Sequence, residues 1–264
     1  MSTAFETIEL TFDGPTACLR FNRPDRYNAL DAAMAEELER ALARLSAEPG
    51  LRALMLTGAG EAFHAGGDVK AFAEAGSSAP RVVADLLGVF HGALRRLVRL
   101  PVPVVAAVNG VAAGAGFSLA MAADLVLASE AARFTVAYTG IGATPDGGGT
   151  WSLPRLVGLR RALELVLTNR VLSAAEALEW GLVTRVLPAE DFAARAAEFT
   201  AELAAGPTLA FGRAKALLRE SLGADLETQL GREGESLVAC AGSADFQQAV
   251  LAFAEKRKPA FQGR

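Results

Sequence analysis

From Leu100 to Ala123 the chain runs "LPVPVVAAVNGVAAGAGFSLAMAA", without one charged side chain, between Arg99 and Asp124. A run of that length either crosses a bilayer or is buried inside a folded core, and that choice constrains the fold more than any other feature. Pro101, Pro103, Asn109, Gly110, Gly114 and Gly116 interrupt it, and its character changes midway. The first part, "PVPVVAAV", reads as a strand, and the continuation "AGFSLAMAAD" reads as a helix. A buried strand–turn–helix is expected, and no membrane span. The opening "MSTAFETIEL" carries acidic groups and no apolar run, so no signal peptide is expected there.

A chain of 264 residues, 52% of them apolar, can bury one large α/β domain, or a core with a smaller appendage. Its net charge of −4 argues against nucleic acid as a general partner. Cys18 and Cys240 are too few for a disulfide framework and suit a reducing cytoplasm, the expected location. With two histidines and no ligand-like spacing, no metal site is expected.

Strands and helices alternate through the first part of the chain. Residues 6–12 and 16–21 read as a hairpin turned by Asp13-Gly14-Pro15. Asp31 can cap a helix running to Ser46, with Met34, Leu38, Leu42 and Leu45 on one face. Strands are predicted over 52–58, 104–108, 124–128 and near 133–136, and helices over 81–99 and 115–122. Beyond Pro145 the pattern is helical, over 154–168, 173–180, 189–205, 207–221, 225–241 and 243–256. A composition shift near residue 205 divides a core of residues 1–205 from a helical segment of residues 206–264.

Two glycine-rich loops, "HAGGD" (64–68) and "NGVAAGAGF" (109–117), each follow a predicted strand and open into a predicted helix. Free N–H groups at such a junction point outward, and the helix dipole favours negative charge beside them. Two such junctions facing one another would hold an oxyanion between backbone donors. Singly, each loop is explained as well by close packing of small residues. Neither has the spacing of a phosphate-binding loop or a dinucleotide fingerprint. A third glycine run, "GATPDGGGTW" (142–151), surrounds a single carboxylate, Asp146. It is either a turn whose aspartate caps the next segment of chain, or a carboxylate brought up to a ligand where no side chain stands in the way.

Taken in order, "FNRPDRYNAL" (21–30), the two loops, "GGGTWSLPRLVG" (147–158), "VLTNRVLSAAEALEWGLVTRVLP" (166–188) and the tail "AFAEKRKPAFQGR" (252–264) resemble the crotonase (enoyl-CoA hydratase/isomerase) superfamily. The resemblance covers essentially the whole chain. It implies an α/β fold, a ββα spiral core with a helical C-terminal segment for trimerisation or as a lid. It also implies a homotrimer or dimer of trimers, and an acyl-CoA thioester substrate whose coenzyme A is no separate cofactor. By position, the oxyanion donors would be the backbone N–H groups of Gly67 and Ala115. Arg26, Ala29, Ala65, Gly67, Asp68, Val69 and Lys70 would line the coenzyme A arm. Lys258 and Phe261 would reach it in the same or a neighbouring subunit.

Where hydratases of this superfamily carry two glutamates, this chain has Ser118 and Tyr138, which hydrogen-bond but are poor bases at neutral pH. Asp146 stands where many members have glycine, and "PDGGGTW" resembles the phenylacetate-pathway enoyl-CoA isomerases. The resemblance therefore implies an enoyl-CoA double-bond isomerase with Asp146 as proton shuttle, Tyr138 and Ser118 shaping or polarising the pocket. Hydration is the first alternative. "VGLRRALELVLTNR" and Asp146 also resemble 4-chlorobenzoyl-CoA dehalogenase, in which the aspartate is a nucleophile. His91, eighteen residues before Asn109, has that family's histidine spacing, while Tyr138 and Gly67 depart from its pattern. A non-catalytic acyl-CoA-binding protein is the remaining alternative. His91 is thus either a helper at the site or an ordinary helix residue, and His64 is read as incidental. The arginines of 95–99 and 160–161 read as solvated helix faces, and Trp151 and Trp180 as core anchors.

Overall fold

A computed structural model describes residues 5–264. It opens with the expected hairpin, β1 (Ile8–Asp13) and β2 (Thr16–Phe21), antiparallel about Gly14. In α1 (Ala32–Ser46), Asp31 accepts from the Met34 amide at 2.9 Å, satisfying one of the free donors of the first turn. Met34, Leu38, Leu42 and Leu45 are buried on its inner face, as their spacing requires.

Three strand–strand–helix turns come next. In the first, β3 (Ala53–Gly58) and β4 (Ala62–His64) lead into α2 (Val69–Ala75) and α3 (Ala79–Arg99). In the second, β5 (Val104–Val108) and β6 (Val111–Ala113) lead into α4 (Ala115–Ala122). In the third, β7 (Leu125–Ser129) and β8 (Arg133–Thr135) lead through a 3-10 turn, Tyr138–Ile141, into α5 (Gly149–Thr168), which breaks at Gly158. After them come β9 (Leu172–Ser173), α6 (Ala174–Glu179), β10 (Arg185–Leu187) and α7 (Phe192–Ala204).

Each turn gives its first strand to one sheet, ordered β1-β2-β3-β5-β7-β10, and its second to another, ordered β4-β6-β8-β9. The strands contributed by successive turns are parallel in both sheets, so the chain winds as the expected ββα spiral. Crossing between sheets within a few residues demands close backbone approach. A Cβ on Gly110 would lie 1.9 Å from the Glu61 carbonyl oxygen, so only glycine fits. The neighbouring Asn109 stitches that turn to the one before, accepting from the Gly58 amide and donating to the Gly60 carbonyl, each at 3.0 Å.

The uncharged run is accordingly interior: all five residues of β5 are buried, and so are seven of α4. Among the described residues no single helix is long and apolar enough to cross a membrane. Strands β4, β6, β9 and β10, each of two or three residues, escape sequence periodicity because so short a segment shows no period. α5 begins at Gly149, ahead of the expected residue 154, so Pro154 falls inside the helix rather than at its start.

The chain ends in α8 (Thr208–Ser221), α9 (Leu226–Ala241) and α10 (Ala244–Ala254). Asp124, the charge that closes the uncharged run, fastens α8 to the core through Lys215 at 2.5 Å and Arg219 at 2.8 Å. Leu226, Leu237, Leu251 and Phe253 of the last two helices are exposed.

Candidate active site

The two glycine loops meet. A Cβ on Gly66 would lie 3.0 Å from the Ala113 carbonyl and 3.2 Å from the Ala115 amide nitrogen, and one on Gly116 would lie 2.0 Å from the His64 carbonyl. The end of β4 therefore runs directly over the start of α4. Gly66 accepts from the Leu30 amide at 2.7 Å and Asp68 donates to the Leu30 carbonyl at 2.9 Å, which pins the backbone on both sides of Gly67. Among the described residues, neither the Gly67 nor the Ala115 amide donates to a backbone carbonyl. Gly67 and Ala115 both line one cavity of about 590 Å³. Its volume is that of a small-molecule site, and two free amides on its wall can hold an oxyanion.

Asp146 lines the same cavity and is the one acidic residue among those that do. It caps nothing: α5 starts from Gly148 without a side-chain cap, and Asp146 supplies only its main-chain carbonyl, accepting from Gly149 at 2.9 Å. Its carboxylate instead accepts from the Tyr138 hydroxyl. Burial, reinforced by the Asp146 charge beside it, pushes the Tyr138 phenol far above its ordinary range, so it stays a neutral donor. Ser118 is fully buried behind the cavity wall, where its hydroxyl donates to the Asp146 carbonyl at 2.8 Å. It holds the Asp146 backbone rather than lining the pocket. Just before Tyr138, Ala137 adopts φ +59°, a left-handed conformation costly for a residue with a Cβ.

Leu30, Phe72, Val83, Leu86 and Ile141 make the cavity apolar around these polar groups. The α3 contribution was hidden in the sequence, because a core-facing and a pocket-facing leucine share one periodicity. Of the residues expected along a coenzyme A arm, Ala65, Gly67 and Val69 line the cavity. Asp68 does not, being the N-cap of α2, with its carboxylate accepting from Ala71 and paired with Arg23, each at 3.3 Å. Lys70 and Arg26 are exposed outside the cavity lining, and Ala29 is buried beneath it. Phe261 lies in a hollow with Pro207 and Phe246, within the chain's own C-terminal helices rather than at its cavity, and Lys258 is exposed on the tail.

Two histidines need correction. His91 does not line the cavity; it borders a separate cleft behind Gly147 and Gly148. His64, read as incidental, is fully buried and its Nδ1 accepts from the Gly66 amide at 3.0 Å, holding the loop that presents Gly67. Burial, with the nearby Arg23 charge, lowers its pKa to about 3, so the imidazole is neutral and able to accept. The signal available in the sequence was its place two residues before that turn.

A spiral core whose paired glycine loops place the free amides of Gly67 and Ala115 on one cavity wall with Asp146 is the arrangement of the crotonase fold. Residues 12–264 match the family described as enoyl-CoA hydratase/isomerase, and the chain belongs to that family. A Rhodobacter capsulatus protein named "probable enoyl-CoA hydratase" is 41% identical, over 99% of this chain and 100% of that one. The 1,2-epoxyphenylacetyl-CoA isomerase of Escherichia coli is 38% identical over 93% and 94%, and a 4-chlorobenzoyl coenzyme A dehalogenase of Arthrobacter is 36% identical over 91% and 87%. Among solved structures, an enoyl-CoA hydratase from Polaromonas superposes with a TM-score of 0.92 at 34% identity, over 97% of this chain and 99% of that one.

Proposed function

We propose that the protein moves a double bond along an enoyl-CoA thioester, with Asp146 as the proton shuttle. The observation that carries this is the single carboxylate, Asp146, on a cavity wall shared with the free amides of Gly67 and Ala115. The thioester oxygen sits between those amides. The Asp146 carboxylate removes a proton from the carbon beside the carbonyl, and the electron pair spreads along the chain to that oxygen. Asp146 then returns the proton to the far carbon of the conjugated system, restoring its own charge. The Tyr138 phenol keeps the carboxylate oriented, and Ser118 steadies its backbone.

Hydration is the second reading, favoured by the name of the Rhodobacter relative. Against it, the hydroxyl of Ser118 is spent on a main-chain carbonyl and the phenol of Tyr138 is held neutral, leaving no second base for water. Hydrolytic dehalogenation is disfavoured by the position of His91 in the neighbouring cleft. The exposed leucines of α9 and α10 support assembly as a homotrimer or a dimer of trimers, their apolar surface being covered by other copies.

Incubation with 3-hexenoyl-CoA, crotonyl-CoA and 4-chlorobenzoyl-CoA, comparing wild type with Asp146→Asn, tests the chemistry. Conversion of the 3-enoyl to the 2-enoyl thioester, lost in the variant, is the expected result. Its absence, or its survival undiminished in Asp146→Asn, refutes the proposal. A covalent ester burst with the chlorinated thioester would instead favour nucleophilic chemistry.

A further inference from the structure

Behind the Asp146 segment lies a second cleft of about 610 Å³, bordered by α3, the end of α4, the start of α5 and Arg219 of α8. Its walls include Leu94, Val98, Met121 and the half-exposed Trp151, an apolar body rather than a solvated furrow. Among the described residues no acidic one lines it, while His91, Arg95 and Arg99 stand on it at successive helical turns of α3. Among the described residues Arg95 and Arg99 have no carboxylate partner. Of the carboxylates nearby in the fold, Asp124 is shared by Lys215 and Arg219, and Glu39 pairs with Arg96 through Oε1 at 2.6 Å; Glu39 keeps a buried, unpartnered Oε2 and lines a separate hollow that Arg95 and Arg99 also border. His91 contributes a further orphan, a buried Nε2 with no hydrogen-bond partner.

We propose that this cleft is a binding site for a small carboxylic acid with a hydrocarbon body. The carboxylate meets Arg95 and Arg99, whose planar guanidinium groups match it in geometry, and the hydrocarbon lies on Leu94, Met121 and Trp151. Inorganic phosphate fits less well, since it has no hydrocarbon to cover the apolar surface of Leu94, Met121 and Trp151. The floor of the cleft is Gly147 and Gly148, the two residues that follow Asp146. A Cβ on Gly147 would lie 3.0 Å from Ser118 Cβ and 3.3 Å from the Phe90 ring, so that wall is filled and the cleft is distinct from the cavity that Asp146 lines. The site requires no assumption about the reaction catalysed.

Calorimetric titration of the intact protein with octanoate and with benzoate tests it, in wild type and in an Arg95→Met, Arg99→Met double variant. Both arginines are exposed, so the variant is expected to fold. The expected result is saturable binding of one acid per chain, at least ten-fold weaker in the variant and undiminished by saturating butyryl-CoA. Absence of binding in wild type, or equal affinity in the variant, overturns the proposal. So does displacement by butyryl-CoA, which would put the acid in the Asp146 cavity. Equally tight binding of inorganic phosphate overturns it too, reducing the cleft to a general anion patch.

Discussion

The Tyr138 hydroxyl donates to the Asp146 carboxylate across the segment that joins the 3-10 turn to α5. A carboxylate in a largely apolar cavity is thereby given one fixed donor and one fixed direction. Both residues come from the same stretch of chain, so the pairing depends on the turn between them more than on distant packing.

Replacing Asp146 by Asn keeps the shape and the hydrogen bond to Tyr138 but removes the base. Isomerisation of 3-hexenoyl-CoA should fall by roughly 10²- to 10⁴-fold in kcat, the usual contribution of a positioned general base. KM should change little. Steady-state kinetics check both.

Tyr138→Phe removes the donor and leaves the carboxylate in place. The loss of one hydrogen bond to a charged group, worth about 1.5–3 kcal/mol, should lower kcat roughly ten-fold or more. Because burial and the Asp146 charge hold the phenol far above its ordinary pKa, wild type should show no alkaline limb from its ionisation between pH 8 and about pH 10. A pH–rate profile of both proteins checks this.

His64 makes folding sensitive to acid. Its folded pKa, about 3, lies below the ordinary 6.5, so the unfolded chain binds the extra proton between those values. Stability is therefore fully present above the ordinary value and is lost as pH falls toward the folded one, at up to about 1.4 kcal/mol per pH unit. His64→Asn, which keeps an acceptor near the Nδ1 position, should show a shallower loss than wild type in urea unfolding between pH 6.5 and 4.5. His64→Leu removes the acceptor as well, and should also lower isomerase kcat at neutral pH.

The glycines of the two loops are not equivalent. At Gly67 a Cβ would press on the edge of the Phe72 ring at 2.9 Å, a side chain able to turn aside, so Gly67→Ala should fold with a small change in activity. At Gly116 it would strike the His64 carbonyl at 2.0 Å, where only backbone can move. Gly116→Ala should cost about 3 kcal/mol or more, read as a lowered urea midpoint, because the two loops must separate to admit the methyl group.

Much of this was legible in the chain itself. The Asp31 cap and the Met34–Leu45 stripe set α1, and the uncharged run from Leu100 set a buried strand and helix, because local propensity and burial agree there. The glycine loops and the lone Asp146 marked the site, and the ordered motifs marked the family. Sequence could not separate Asp146 as cap from Asp146 as pocket carboxylate, since both need the same neighbours. Nor could it say that Ser118 faces a carbonyl, that His64 holds Gly66, that Asp68 is a cap, or that His91 belongs to another cleft. The first and last of these depend on contacts between distant turns of the spiral, and the two local ones, His64 to Gly66 and Asp68 to Ala71, depend on a backbone path that those turns hold in place. Pattern tells which residues lie inside; only the winding of β4 over α4 decides which of them meet.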